Sequence, residues 1–271
     1  MSMDETVGAT GTGLMAGKRG VIMGVANDHS IAWGIASALA AQGAEMAFTY
    51  QGGSLEKRVR PLVESVGSDL LVACDVESDS SIEDAFARVG EKWDSIDFVV
   101  HAIAYSDKDE LNGRYVETSR DNFRRTMDVS CYSFTSTARA AAPLMPRGGS
   151  MLTLTFAGSQ RVVPNYNVMG VAKAALEASV RYLAADLGEQ GIRVNAISAG
   201  PVRTLAGSAI SGARHIYRWS QDNAPLKRNA DIEDIGGSAM YLLSGLSNGV
   251  TGEVHHVDSG YNIVGIPAVT S

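Results

Sequence analysis

Seven short apolar runs punctuate this chain, and between them the hydrophobic period changes from that of a strand to that of a helix. They are RGVIMG (Arg19 to Gly24), AEMAFTY (Ala44 to Tyr50), LLVAC (Leu70 to Cys74), IDFVVH (Ile96 to His101), Met151 to Phe156, IRVNAI (Ile192 to Ile197) and Glu253 to Val257. Strands that are almost continuously apolar are buried on both faces, so helices must cover them above and below. The alternation predicts the α/β class, with a doubly wound parallel sheet and helices on both faces. No linker, internal repeat or second core interrupts the pattern, so a single domain is expected over residues 17–271.

Composition narrows what such a domain does. The 271 residues are 45% hydrophobic, enough for one large core, and 20% charged. No stretch is long and apolar enough to span a bilayer, so no membrane role is expected. A net charge of -7 argues against general nucleic-acid binding while leaving room for a local basic patch. Cys74 and Cys131 make neither a disulfide framework nor a metal-ligand spacing. No metal is expected, and a reduced, cytoplasmic setting is. Met1 to Leu14 are polar, small and rich in Gly and Thr, without the basic and apolar regions of a secretory signal. A disordered leader over residues 1–16 is expected.

The first apolar run ends in GVANDHSIAWGIA. Ser30 is placed to cap a helix whose buried stripe is Ile31, Ile35, Ala38 and Leu39. A glycine turn feeding a helix N-terminus presents free amides, which suits a diphosphate and makes the sheet Rossmann-like. Only Gly24 and Gly34 stand clear of the usual G-x-G-x-x-G spacing, and a purely structural strand-turn-helix reads the same way. At the end of the second run, where a dinucleotide enzyme reads the adenosine ribose, stands Gln51 rather than an acid. No arginine is there for a 2′-phosphate, although Lys57 and Arg58 follow one turn later, so NADH is expected over NADPH. Asp75, followed by Val76, either bonds an adenine amino group or caps the helix from about Ser78 to Trp93. Small residues after the fourth run, Ala102 to Ala104, leave room for a cofactor. Ser198 to Thr204 is turn-rich at a strand end, the usual place for ligand contact. Leu205 to Trp219 is amphipathic and interrupted by Gly207 and Gly212, as either a lid or a plain surface helix would be.

The stretch from Thr155 to Lys173, TFAGSQRVVPNYNVMGVAK, predicts the end of a strand, a polar turn and a helix beginning past Pro164. Seven helical steps bring Tyr166 and Lys173 to within about 20° of one face. An ammonium beside a phenol favours phenolate character and strengthens the hydroxyl as a donor. Taken alone, the pair reads rather as a packed tyrosine and a solvated lysine.

The glycine turn, the order of elements and the Tyr/Lys helix together resemble the short-chain dehydrogenase/reductase superfamily. That superfamily usually spaces its pair Tyr-x3-Lys. The Tyr166-x6-Lys173 spacing resembles the divergent branch of enoyl-[acyl-carrier-protein] reductases of the FabI type, as do PNYNVMGVAKAALEASVRYLA, RVNAISAGPVRTLA, TGEVHHVDSGYNI and GVANDHSIAWGIA. The resemblance runs from about Gly17 to Ile263. It implies NADH-dependent reduction of trans-2-enoyl thioesters in bacterial type II fatty-acid synthesis, on substrate carried by acyl carrier protein. Tyr166 and Lys173 would be catalytic. Cofactor contacts would fall on Gly24, Ser30, Ile31, Gln51, Asp75, Val76, Ile103, Lys173 and Thr204.

Substrate contacts implied by the resemblance are Ala104, Tyr105, Phe156, Tyr166 and Met169, with Tyr105 and Ser106 at the mouth of an acyl tunnel closed by Thr204 to Trp219. A homotetramer is implied as well. An acidic carrier needs a locally basic surface, for which Arg203, Arg214, His215, Arg218, Lys227 and Arg228 are the candidates. Phe156 departs from the tyrosine that many bacterial members carry ten residues before the catalytic one, while mycobacterial members place a phenylalanine on that stretch. Two other readings stand beside this one. A ketoacyl or alcohol dehydrogenase is opposed by the spacing and by His101-Ala-Ile-Ala where Asn-Ala-Gly is usual. An inactive NAD-binding regulator is opposed by the intact Tyr166 and Lys173.

Overall fold

All seven apolar runs become strands, because each is short, rich in residues that pack on a pleated surface, and bounded by turn-forming residues. The computed structural model describes residues 13–204, 207 and 211–266. The strands are β1 (Arg19–Met23), β2 (Glu45–Tyr50), β3 (Leu71–Ala73), β4 (Phe98–His101), β5 (Gly149–Thr155), β6 (Ile192–Ala199) and β7 (Val254–Val257). They form one parallel sheet in the order β3-β2-β1-β4-β5-β6-β7. The chain winds outward from β1 to β3, then crosses back to β4 and winds the other way. Met23 pairs with His101 and His101 with Thr153, so β1 and β4 end level where the order reverses and β5 runs on to Thr155.

Helices α1 (Ile31–Ala41), α2 (Gly52–Ser65) and α8 (Ile232–Leu243) cover one face. Their apolar sides, including Ile35, Leu39, Val59, Val63, Ile235 and Leu242, pack on Ile22, Phe48, Phe98 and Leu152. Helices α3 (Asp79–Lys92), α4 (Arg120–Met127), α5 (Ser133–Ala141) and α6 (Asn167–Leu187) belong to the other side of the sheet, and α7 (Ala213–Asn223) lies over its carboxyl edge. A π turn over Asp128–Tyr132 joins α4 to α5. Ile82, Phe86, Val129, Phe134, Leu176 and Val180 form the second core. Burying one such side chain stabilises the fold by roughly 1.5–3 kcal/mol, so the two layers hold the sheet from both sides.

Local details correct several expectations. Ser30 is the N-cap residue of α1 but makes no side-chain cap. Its hydroxyl instead donates to Asn27 O and accepts from Ala26 N, stiffening the turn before the helix. The α1 stripe is Ala32, Gly34, Ile35, Ala36 and Leu39, with Ile31 and Ala38 only partly buried. The helix after β3 is capped by Ser78, whose hydroxyl accepts from Ser81 N, so Asp75 is not its cap. The expected leader is too long at its inner end. Gly13–Gly17 form a turn against the end of α1, with Met15 fully buried and its N–H donating to Gln42 O. The rest of that leader, residues 1–12, lies outside the described residues. Of the expected lid, 205–206 and 208–210 also lie outside them, and the helix that is described runs past Trp219 to Asn223. Among the described residues no helix is long and apolar enough to cross a membrane.

Candidate active site

The carboxyl ends of β1, β4, β5 and β6 open into a cleft of about 1340 Å³. In an open α/β sheet this is where a crevice forms, because the connections from neighbouring strands leave in opposite directions. Gly24 ends β1 with φ at +100°, and a Cβ there would stand 2.1 Å from Ala102 O. Only glycine lets the exits of β1 and β4 run this close. Ser30, Ile31 and Ala32 put the start of α1 on the cleft wall. First-turn amides have no acceptor within their own helix, so this wall suits a diphosphate. Ile103 and Ala104 line the floor after β4, and Thr204 lies on the far rim beyond β6.

Gln51, Asp75 and Val76 were also expected at the cofactor, but none lies on the cleft wall. Gln51 is exposed at the N-cap of α2, at the end of β2. Asp75 follows β3, with its carboxylate accepting from Glu77 N and its N–H donating to Ser81 Oγ. The Val76 side chain belongs to the core. These positions continue the row of strand ends beyond β1.

The expected catalytic pair stands on the opposite wall. Tyr166 is the N-cap of α6 rather than a residue inside it. Asn165 and Asn167 flank it with left-handed backbone, φ 61° and 31°, which asparagine tolerates better than most residues. Asn165 Nδ2 donates to Ser211 O, and Asn167 Nδ2 to Gly113 O, so both flanks are tied down. Tyr166 and Lys173 are both buried and both line the cleft. Lys173 Nζ donates to Leu154 O at 2.7 Å, using one of its three protons on the end of β5.

The electrostatics overturn one expectation. Burial, and after it the negative charge of Glu177, push the Tyr166 phenol well above its ordinary range. Phenolate is therefore disfavoured, and Tyr166 stands as a protonated donor. Burial brings Lys173 down to about 8, against upward pushes from Cys131 and Glu177, so it is mainly an ammonium at neutral pH. Beneath the pair, His101 bridges Thr153 Oγ1 and Ser133 Oγ at 3.1 and 2.9 Å. Burial and then Lys173 hold it down at about 3, so it is neutral.

The proposed substrate side is apolar. Phe156 meets the ring of Tyr166, and Met169 and Leu111 pack in the same cluster. Leu111 was missed in the sequence. Its signal is a lone large aliphatic in the charged loop KDELNGRY, whose polar neighbours stay out of the core. Tyr105 and Ser106 line the mouth. Tyr105 is held there by the Arg125 guanidinium 4.4 Å over its ring and by its hydroxyl donating to Asp107. Arg125 is itself held by Glu77 through two hydrogen bonds. Of the basic candidates, Arg228 is committed to Asp234, Lys227 donates to Asp222 O, and Arg203 stacks on Tyr217. Arg214 and Arg218 are exposed on α7 beside the cleft, with no ion pair among the described residues.

A doubly wound parallel sheet with a bare glycine turn at its switch point, facing a buried tyrosine and lysine, defines a dinucleotide-dependent oxidoreductase of the Rossmann type. Comparison with known proteins narrows this further. A family model described as Enoyl-(Acyl carrier protein) reductase matches residues 24–262. The chain is 66% identical to "Enoyl-[acyl-carrier-protein] reductase [NADH] 2" of Rhizobium meliloti, over 95% of this chain and 96% of that protein. The structure of FabI from Candidatus Liberibacter asiaticus superposes with a TM-score of 0.93 at 62% identity, covering 94% of this chain and 99% of that one. The reductase of Anaplasma phagocytophilum in complex with NAD gives 0.91 at 58% identity, covering 96% and 98%. This chain belongs to the enoyl-[acyl-carrier-protein] reductase family.

Proposed function

We propose that this protein reduces the trans-2 double bond of enoyl thioesters carried on acyl carrier protein, using NADH, as a step of bacterial fatty-acid synthesis. The observation that carries the reading is the placement of Tyr166 and Lys173 together on the wall of an apolar cleft across the switch point of the sheet. NADH, when bound, supplies the hydride for the β carbon. The residues on the cleft wall fit it: Gly24, Ser30, Ile31 and Ile103 would receive its diphosphate and nicotinamide halves, and Gln51 and Asp75, at the next strand ends, would receive the adenosine end. Val76 would contribute through its backbone, since its side chain lies in the core, and Thr204 would close the rim.

As the double bond is reduced, negative charge moves to the thioester oxygen, and the enolate then collapses as a proton from solvent adds to the α carbon. Tyr166, kept protonated by burial, donates a hydrogen bond to that oxygen. Such a donor acts on charge that develops only in the transition state. Lys173 would hold the ribose of the nicotinamide half and would add positive field beside the enolate. Phe156, Met169 and Leu111 exclude water, which strengthens both interactions. Ala104 and Tyr105 shape the entrance for the acyl chain. The carrier docks on Arg214 and Arg218 of α7, and the protein works in the cytoplasm as a homotetramer.

The test is NADH oxidation with a trans-2-enoyl thioester, with NADPH in parallel. The expected result is oxidation of NADH and much slower oxidation of NADPH. Binding of NADH without consumption would overturn the reading.

A further inference from the structure

A stripe of residues runs down one side of α6: Tyr166 at its cap, then Gly170, Lys173 and Glu177. Glu177 carries a charge into the interior that the reaction, as described, leaves unused. It is only 7% exposed. Its Oε1 accepts from Thr155 Oγ1 at 2.8 Å and from Ser159 Oγ at 2.5 Å. Thr155 ends β5, and Ser159 ends a 3₁₀ turn over Ala157–Ser159. Between these two hydroxyls lie Phe156, whose ring meets Tyr166, and Gly158, where a Cβ would stand 2.4 Å from the Tyr166 ring. One carboxylate oxygen therefore ties down both ends of the segment that walls the phenol.

A carboxylate this deep is costly unless it is hydrogen-bonded and near a positive charge. Here two hydroxyls bond it, and the Lys173 ammonium lies one helical turn away on the same side. The other titratable groups facing Lys173 are Tyr166 on its own helix, Cys131 from the π turn and His101 from β4. Burial pushes the Cys131 thiol up and leaves the His101 ring uncharged. Of the two groups that push Lys173 up, Cys131 and then Glu177, the Glu177 carboxylate is the one on its own helix.

We propose that Glu177 is a positioning residue for this reduction: its carboxylate holds Thr155 to Ser159 against Tyr166 and sets a negative charge one helical turn from Lys173. The proposal rests on the roles given above to Tyr166 and Lys173. Glutamine at this position still offers an oxygen to both hydroxyls but has no charge. Ser159→Ala removes one tie and keeps the charge.

NADH binding, by fluorescence, and thioester turnover are measured from about pH 6 to pH 10 in the full chain, with thermal melts of each variant. In Glu177→Gln the alkaline limb of NADH binding is expected to move to lower pH, since an opposing charge has been removed. Its kcat is expected to fall about tenfold while the thioester KM changes little. Ser159→Ala is expected to lower kcat and leave the limb in place. A Glu177→Gln protein with the parent limb and the parent kcat overturns the proposal and makes Glu177 a packing residue. Should that variant fail to melt cooperatively, Ser159→Ala decides, and an unchanged kcat there overturns it. If parent and variants all bind NADH and none consumes it, the reaction assigned above fails, while the position of the binding limb still tests the effect of Glu177 on Lys173.

Discussion

The ring of Phe156 meets the ring of Tyr166 edge to face, with centroids 5.1 Å apart and planes at 69°. The phenylalanine thus holds the phenol through packing, without offering it a hydroxyl. Such a pair contributes about 0.5–1.5 kcal/mol beyond its buried area. Tyr166→Phe keeps this contact and removes only the donor. The expected outcome is a fall in kcat of about 10- to 1000-fold on an acyl-carrier substrate, with NADH affinity retained. Steady-state kinetics beside NADH fluorescence titration checks both halves.

Lys173 titrates at about 8, so its charge is lost as pH rises through that value. NADH affinity is expected to weaken above pH 8 for this reason. Lys173→Met should bind NADH poorly at every pH and lack the alkaline limb. The sign for stability is opposite. The folded value lies below the ordinary one of 10.5, so burying the ammonium destabilises the fold below pH 8, and that penalty is relieved as pH rises towards 10.5. Binding isotherms and melts across this range read the two effects separately.

Gly24→Ala places a Cβ 2.1 Å from Ala102 O on backbone with φ of +100°. Neither the strain nor the contact can be relieved without moving the exit of β1 or β4. We expect NADH affinity to drop at least tenfold, together with a loss of about 1–3 kcal/mol of stability. Fluorescence titration and chemical denaturation measure these.

Helix α8 opens with a reciprocal cap between Asp231 and Asp234, and Arg228 pairs with Asp234 just before it. Arg228 first, with help from the Asp231 N–H, holds the Asp234 carboxyl down at about 2. A carboxylate lowered in the fold stabilises it above the unfolded value, and that contribution is lost as pH falls from about 4 towards 2. The pair is partly exposed, so the solvent-screened share is small, about 0.5 kcal/mol. Asp231→Ala, which removes the cap, should cost about 1 kcal/mol in urea denaturation at neutral pH.

Charge reversal at Arg214 and Arg218 tests the carrier surface. Both are exposed on α7 and line the cleft mouth. The double variant is expected to raise KM for an enoyl group on acyl carrier protein several-fold, with a smaller effect at high salt. Its kinetics with a short thioester lacking the carrier should be unchanged. An unaltered KM for the carrier-bound substrate would remove this surface from the docking site.

The strands, the parallel sheet, the glycine turn and the Tyr166/Lys173 pair were all legible in the sequence. Each is written in local terms: an apolar run of a few residues, a glycine where φ must be positive, two side chains at a helical interval. The tertiary structure decided what surrounds them. Leu111 reaches Tyr166 from a charged loop some fifty residues earlier in the chain, and no periodic pattern records such a contact. Glu177 reads in sequence as one acid in a helix, and only the fold turns it inward against Thr155 and Ser159. The expectation of phenolate character failed for the same reason. Proximity in sequence suggested that the ammonium would govern the phenol, whereas desolvation, which depends on everything packed around the ring, pushes it the other way. The sequence by itself determined which elements form and which groups can react. The three-dimensional packing alone decided their protonation and their neighbours, because burial and charge coupling are sums over residues that the chain brings together from far apart.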